Sequence, residues 1–350
     1  MQPGRRVIVS ELSETPLDAI AKHMTLEVMP APDPAKLAAH DVVVAIKSAS
    51  VGWVDLLMTS GQYQHRPNPP YVPGLEYAGE IAWKGADVRG LSVGDAVLVD
   101  GFLAGPRSLG GYQAFGGFAS YGVAPADSVM RVPGSLTMDQ ACNLLGNYET
   151  AFHCLVTRGK LAANETVLIL GASGSTGLAA VQVAKIIGAR VIATGRSAKK
   201  LAIVKEQGAD EVLASPLRDP VKALTDGRGV DVVYDGVGGD ASLEALRCVK
   251  FGARYLIVGW AATPFASAKP NTLPTNLLMM KGLDVLGCPT VISTVANPSI
   301  RPPRLAQVLR WAEEGKIRPY VSHVYPLEDF GEAMRAKWNG EVVGGCVLHP

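Results

Sequence analysis

The stretch TVLILGASGSTGLAAVQVAKIIGA, residues 166–189, constrains the fold more than any other part of the chain. A short aliphatic run leads directly into a turn with glycine at 171, 174 and 177, and a helix of small residues follows. A strand, a glycine turn and a helix in this order direct backbone N–H groups and the positive end of the helix dipole at a phosphate. The stretch therefore predicts a turn that binds the pyrophosphate of a dinucleotide.

Within this turn, Gly174 would let the backbone approach the phosphates, and Gly177 would let the helix pack closely on the strand. Ala172 replaces the first glycine of the usual Gly-x-Gly-x-x-Gly pattern. The predicted phosphate contacts are completed by Ser173, Ser175 and Thr176. The alternative is a structural turn that binds no ligand, because glycines also serve ordinary tight turns.

The residues that follow the next strand bear on the choice of cofactor. A protein that binds NAD places Asp or Glu on the ribose 2′-hydroxyl at this point. Here the chain reads Thr194, Gly195, Arg196 and Ser197, and no acidic residue occurs before Glu206. Arg196, with Ser197 and Lys200 and beside Gly195, suits the 2′-phosphate of NADPH. The alternative is an exposed helix start that carries ordinary surface cations.

The wider pattern predicts an α/β protein with two domains. Strand-like and helical segments alternate from residue 166, which is typical of a doubly wound parallel sheet. Residues 1–136 carry short β-rich runs separated by Gly-Asp and Pro-Gly turns, which predict a small barrel. We place the dinucleotide-binding domain at 137–292, after a helix N-cap at Thr137, and assign residues 293–350 to the second part of the barrel domain.

Composition excludes several classes of function. Charged residues make up 19% of the chain and the net charge is +1, so a nucleic-acid partner is not expected. We find neither a signal peptide nor an apolar run near the ~18 residues that a membrane helix needs. The five cysteines show no metal-binding spacing, and free thiols in a reducing cytoplasm are the simplest interpretation.

Several further motifs occur in an order and spacing that resemble a known family. They are VPGLEYAGEI, GGFASYGVAPADSV, NYETAFHCL and VDVVYDGVGG. Together with the glycine turn, they resemble the medium-chain dehydrogenase/reductase superfamily, and specifically its zinc-free NADPH:quinone oxidoreductase branch. The resemblance covers nearly the whole chain and implies a Rossmann domain inserted into a GroES-like β-barrel domain.

The resemblance also implies roles for individual residues. Two positions beside the nicotinamide ring match Tyr148 and Thr150, and two flanking loops match Gly236, Val237, Gly238, Val258 and Gly259. Tyr63 matches a tyrosine that faces the substrate and is the candidate catalytic residue; a tyrosine of the core or a loop is the alternative. Members of the family usually form dimers through the edge of the Rossmann sheet, which here corresponds to LDVLGCP at 283–289.

The metal positions of the zinc-dependent relatives match Gly52, Leu75 and Gly146, whose side chains cannot bind zinc. We therefore expect no metal. Many zinc-free members carry Asn at the position of Gly52, so this chain also departs from them. Without a Lewis acid, alcohol oxidation is disfavoured, whereas quinones and α,β-unsaturated carbonyls can accept a hydride because their conjugated system delocalises the charge.

Three functions are compatible with these features. The leading hypothesis is an NADPH-dependent quinone or enone reductase. A reductase of enoyl or acryloyl thioesters would need a cationic patch for coenzyme A, which Arg301 and Arg304 could supply if they are at the surface. The third is a non-catalytic, NADPH-binding structural protein, which the intact glycine turn and Arg196 disfavour.

Overall fold

A computed structural model describes residues 1–108, 110–264 and 270–350. The chain divides into two compact units. Unit 1 contains residues 1–145 and 319–350, and unit 2 contains residues 146–318. Unit 2 is thus inserted into the sequence of unit 1, as predicted.

The strands of the described residues are numbered in chain order. They are β1 (Gly4–Val9), β2 (Met24–Met29), β3 (Asp41–Ser50), β4 (Tyr77–Lys84), β5 (Ala96–Val99), β6 (Tyr121–Pro125), β7 (Val129–Arg131), β8 (Thr166–Leu170), β9 (Arg190–Thr194), β10 (Glu211–Leu213), β11 (Val230–Asp235), β12 (Val249–Ile257), β13 (Asp284–Gly287), β14 (Val321–Pro326) and β15 (Gly345–His349).

The α-helices of the same residues are α1 (Pro16–Lys22), α2 (Trp53–Thr59), α3 (Met138–Ala141), α4 (Leu145–Phe152), α5 (Ser175–Ile187), α6 (Ala198–Glu206), α7 (Arg218–Leu224), α8 (Asp240–Ala245), α9 (Thr275–Lys281), α10 (Thr290–Ala296), α11 (Arg301–Glu313) and α12 (Phe330–Trp338). A π-helical turn, His153–Arg158, continues α4.

Unit 1 is built on a sheet with strand order β14-β15-β3-β4-β5-β7, and β6 also pairs with β3. The pairs of β3 with β4, β6 and β15 are antiparallel. Alternating side chains of β3 and β4 enter a core that also contains residues of α12 and β15. The strands therefore close around one hydrophobic interior, and both ends of the chain contribute to it.

Unit 2 contains a sheet with strand order β10-β9-β8-β11-β12-β13, and its neighbouring strands are parallel. Strands β8, β9 and β11 are buried over most of their length, as their continuous aliphatic sequences require. Relative to β8, the strands have the 3-2-1-4-5-6 order of a doubly wound fold. The predicted fold class is confirmed.

The predicted N-cap at Thr137 is confirmed, because its hydroxyl accepts a hydrogen bond from the Gln140 N–H. The boundaries between the units differ from the predicted ones, 136/137 and 292/293: they lie at 145/146 and 318/319. The largest difference concerns α11, which belongs to unit 2 and forms two buried ion pairs with Glu149 of α4 through Arg301 and Arg304.

The described part of the chain has no helix long and apolar enough to cross a membrane. All five cysteines are free thiols with buried side chains.

Candidate functional site

The candidate site lies at the carboxyl ends of two adjacent strands of unit 2. In the sheet, β9 and β10 lie on one side of β8, whereas β11, β12 and β13 lie on the other side. Connections that leave in opposite directions open a crevice at this position, and ligands of doubly wound sheets bind there. The glycine turn follows β8, and the loop at 236–238 follows β11.

The three glycines of the turn meet different local requirements. Gly171 has φ +64°, a left-handed conformation that favours glycine. Gly177 is buried, and a Cβ added there would lie 2.6 Å from the carbonyl oxygen of Gly171. Gly174 is the exposed N-cap of α5, and a Cβ there would meet only the Gly171 oxygen, at 3.4 Å. Close packing thus explains Gly177, whereas Gly174 leaves open space at the exposed start of α5.

The rest of the turn is fixed by its neighbours. The N–H of Ala172 donates to the carbonyl of Thr194 at the end of β9 (3.0 Å), and the hydroxyl of Thr176 donates to the side chain of Asn147 (3.3 Å). Ser173 and Ser175 are half-buried at the mouth of the turn. The turn is therefore anchored to both the sheet and α4.

The end of β9 carries the predicted cations. Gly195 donates its N–H to the carbonyl of Leu213 (3.2 Å), and Ser197 is the N-cap of α6, where its hydroxyl accepts from the N–H of Lys200 (3.5 Å). Arg196 is exposed and makes no ion pair with the described residues. Sequence reasoning missed Lys199, which is exposed in the first turn of the same helix.

The two residues of α4 that the resemblance places beside the nicotinamide differ in their exposure. Thr150 is half-buried, whereas Tyr148 is 2% exposed and its hydroxyl donates to Gln182 of α5 (2.7 Å). Burial raises the pKa of Tyr148 above its ordinary range. Its hydroxyl is therefore a structural donor between two helices, and only Thr150 exposes part of its side chain.

The expected surface position of Arg301 and Arg304 is wrong. Both side chains are buried, and both bind the carboxylate of Glu149: Arg301 Nη2 at 2.8 Å and Arg304 Nε at 3.1 Å. Arg304 also contacts Nδ1 of His153 (3.3 Å) and Oγ1 of Thr294 (2.8 Å). The two guanidinium groups hold α11 against α4 and are not a surface patch for coenzyme A phosphates.

The two loops that the resemblance assigns to the nicotinamide lie side by side. The N–H of Ala261 donates to Gly236 (3.1 Å), and the N–H of Ala262 donates to Val237 (2.8 Å). Gly238 is buried, whereas Gly236, Val237, Val258 and Gly259 are half-buried. The structure thus brings together the glycine turn and both loops at the carboxyl end of the sheet of unit 2.

Two of the metal positions of the zinc relatives lie together in unit 1, where they are linked by a side chain that sequence reasoning missed. The carboxylate of Asp55, 3% exposed, accepts hydrogen bonds from the N–H groups of Gly52 (2.8 Å), Gly74 (3.1 Å) and Leu75 (3.0 Å). Burial raises the pKa of Asp55 to about 6, although these hydrogen bonds oppose the shift. A signal was available, because Asp55 lies three residues after Gly52, in the first turn of α2.

Tyr63, the candidate catalytic residue, lies in unit 1 after α2. It is half-buried, its ring centroid is 5.7 Å from that of His65, and its hydroxyl forms no hydrogen bond with the described residues. Nearby, burial and the charge of Arg107 lower the pKa of His65. A phenol with a free hydroxyl can donate a proton to an oxygen of a ligand.

No group of three His, Cys, Asp or Glu side chains in the described parts of the chain could hold a metal ion. The lone thiol nearest in sequence to the third metal position, Cys142, shares a hydrogen bond with Ser48 (3.3 Å). Burial raises the pKa of Cys142, so the group behaves as a neutral thiol. The expected absence of metal stays a prediction.

Comparisons with known proteins agree with this geometry. The sequence model of the alcohol dehydrogenase GroES-like domain matches residues 38–134, and that of the zinc-binding dehydrogenases matches residues 175–307. A quinone oxidoreductase-like protein 2 homolog from Nematostella vectensis is 33% identical over 316 residues, which are 88% of this chain and 82% of that protein. The chain belongs to the quinone oxidoreductase branch of the medium-chain dehydrogenase/reductase superfamily.

Solved structures of the superfamily have the same architecture. A probable oxidoreductase from Mycobacterium abscessus is 30% identical, with 99% of each chain covered and a TM-score of 0.81. A mycobacterial protein solved in complex with NADPH is 25% identical, covering 99% of this chain and 100% of that one, with a TM-score of 0.80. Membership of this branch makes the chain a nicotinamide-dependent oxidoreductase whose unit 1 is the GroES-like domain and whose unit 2 is the Rossmann domain.

Proposed function

We propose that the protein is an NADPH-dependent, zinc-independent reductase that transfers a hydride to a quinone or an α,β-unsaturated carbonyl compound. The observation that carries the proposal is Arg196, which follows β9, is exposed and has no ion-pair partner among the described residues. An unpaired guanidinium at the start of α6 matches the charge and geometry of a ribose 2′-phosphate. Lys199, exposed in the same helical turn, adds a second positive charge.

The residues at the metal positions of the relatives support a reaction without zinc. Glycine at 52 and 146 and leucine at 75 have no side-chain lone pair to offer a metal. When bound, the nicotinamide supplies the hydride. Conjugated carbonyl compounds accept it without a Lewis acid if a hydrogen-bond donor meets the oxygen, and we assign that donor role to the hydroxyl of Tyr63.

The sequence is also compatible with two alternatives, a reductase of acyl thioesters and a non-catalytic NADPH-binding protein. Burial of Arg301 and Arg304 removes the cationic patch that had favoured a thioester reductase. A non-catalytic NADPH-binding protein would share the glycine turn and Arg196, so NADPH oxidation with any acceptor is the measurement that separates it from a reductase.

Arg196→Ala tests the assignment of the cofactor. Loss of one or two charge-assisted hydrogen bonds, each contributing about 1.5–3 kcal/mol, should weaken NADPH binding at least ~10-fold and leave NADH binding almost unchanged. Arg228→Ala is the matched control, because Arg228 is exposed just before the amino end of β11, at the opposite end of the sheet. Equal losses for NADPH and NADH in a fluorescence titration would refute the assignment.

We further propose a homodimer that forms in the cytoplasm through β13. Among the described strands, β13 pairs only with β12, and apolar side chains are exposed on the adjacent helices: Met279, Met280, Ile292 and Val295. A second copy related by a two-fold axis would extend the sheet and cover these side chains. Light scattering should give twice the chain mass of 36.8 kDa, and a monomer at micromolar concentration would contradict the proposal.

A further inference from the structure

Asp235, the last residue of β11, has a buried carboxylate with four hydrogen bonds. Its Oδ1 accepts from the N–H groups of Val237 (2.9 Å) and Gly238 (3.0 Å). Its Oδ2 accepts from the hydroxyl groups of Ser242 and of Tyr255 (2.8 Å). The side chain is 3% exposed, so these bonds form away from bulk water, where charge-assisted hydrogen bonds are strong.

The main chain of Asp235 holds the neighbouring loop as well. Its carbonyl oxygen accepts from the N–H of Val258 (2.8 Å) and from the N–H of Gly259 (3.2 Å). One residue therefore fixes both the β11 loop, residues 236–238, and the β12 loop, residues 258–262. The direct bonds from Ala261 and Ala262 to the β11 loop join the two further.

The β11 loop needs such an anchor because it is rich in glycine. Gly238 has φ +80° and the following Gly239 has φ +62°, conformations that glycine adopts at no steric cost but does not by itself select. The loop also touches the glycine turn, since a Cβ on Gly171 would lie 2.7 Å from Cγ2 of Val237. The carboxylate of Asp235 thus sets the position of the β11 loop relative to the phosphate-binding turn.

We infer that Asp235 is a positioning residue for the nicotinamide end of the cofactor, since it holds the β11 and β12 loops in their binding arrangement before the cofactor arrives. The inference rests on the proposed function, because the assignment of these loops to the nicotinamide does. Asp235 itself makes no contact with the reacting atoms and acts through the N–H groups of Val237 and Gly238. The adenosine end, recognised by the glycine turn and Arg196, does not depend on it.

The test compares Asp235→Ala with Asp235→Asn. In the Asn variant, Oδ1 still accepts from Val237 and Gly238, and Nδ2 can donate to the hydroxyl oxygens of Ser242 and Tyr255, which can also act as acceptors. In the Ala variant, both bonds to the β11 loop are lost. Hydrogen–deuterium exchange of the cofactor-free protein should therefore be at least tenfold faster at 236–239 in the Ala variant, whereas the Asn variant should retain most of the protection.

Ligand binding provides the second measurement. Adenosine 2′,5′-bisphosphate, which lacks the nicotinamide end, should bind the wild type and Asp235→Ala within about twofold of each other. Affinity for NADPH should fall at least tenfold in Asp235→Ala. A wild type that binds neither ligand would contradict the proposed function, whereas equal NADPH affinity of the wild type and Asp235→Ala would overturn the positioning role.

Two outcomes of the exchange experiment would also overturn the inference. One is unchanged exchange at 236–239 in Asp235→Ala, and the other is an Asn variant that exchanges as fast as the Ala variant. If Asp235→Ala does not fold, Ser242→Ala replaces it, because it removes one donor to Oδ2 and leaves the carboxylate in place. Ser242→Ala should still increase exchange at 236–239 by a few-fold, and wild-type protection in that variant would equally overturn the inference.

Discussion

The substitution Gly174→Asp should weaken cofactor binding by the glycine turn without preventing the turn from folding. Gly174 has φ −74° and ψ 163°, which any residue adopts, and an added Cβ would meet no atom closer than 3.4 Å. Because Gly174 is the N-cap of α5 and aspartate is a favoured N-cap, Gly174→Asp should change the free energy of unfolding by only a few tenths of a kcal/mol.

The effect on the cofactor should be large. A carboxylate about 4 Å from a phosphate charge is repelled by about 4 kcal/mol at an effective dielectric constant of about 20. That energy corresponds to a loss of about 1000-fold in affinity. Gly174→Ala adds the Cβ without the charge, so the difference between the two variants isolates the electrostatic contribution.

The assay is a fluorescence titration with NADPH, paired with thermal unfolding of each cofactor-free variant. Gly177→Ala is the opposite control, because its Cβ would lie 2.6 Å from the Gly171 oxygen and 2.8 Å from Cα of Ala172. Those backbone atoms cannot move cheaply, so Gly177→Ala should lower the unfolding temperature. If Gly174→Asp binds NADPH within tenfold of the wild type, the turn is not the pyrophosphate site.

Three further predictions concern stability and metal. The folded state binds the proton of Asp55 more tightly than the unfolded state does, because burial raises the pKa from 3.8 to about 6. The contribution of Asp55 to stability is therefore fully present below the unfolded pKa of 3.8 and is lost as the pH rises through 6, which amounts to about 3 kcal/mol at 1.36 kcal/mol per pH unit. In urea titrations, the stability of the wild type relative to Asp55→Asn should fall by about that amount between pH 3 and pH 7, and a constant difference would contradict the shift. Arg304→Ala should cost about 3–5 kcal/mol, because it leaves part of the charge on buried Glu149 unpaired, whereas Arg310→Ala on the exposed face of the same helix should cost less than about 0.5 kcal/mol. Elemental analysis should find well under one zinc per chain, and stoichiometric zinc would refute the zinc-independent reaction.

The sequence predicted those parts of the fold and site that depend on neighbouring residues. The glycine turn is recognisable because the strand, the three glycines and the helix are contiguous, and the position of Arg196 follows from its distance along the chain from that turn. The parallel sheet follows from the aliphatic strands for the same reason.

The contacts that the sequence did not reveal join residues far apart in the chain. Glu149 and Arg301 are separated by 152 positions, and nothing in the local pattern SIRPPRL distinguishes a buried ion pair from surface cations. The predicted boundary at 292/293 placed α11 in unit 1, because its sequence is polar enough to resemble a surface helix. The structure has that boundary at 318/319. Asp55 is similar: its burial depends on Gly74 and Leu75, which approach it only in the folded state.

The most direct test of the proposed function is the rate of NADPH oxidation by the purified protein with a panel of quinones, enones and acyl thioesters. We expect turnover with at least one quinone or enone, at least tenfold lower kcat/KM with NADH, and no change after prolonged treatment with a chelator. Absence of NADPH oxidation with every acceptor, or chelator-sensitive oxidation of simple alcohols, would contradict the account.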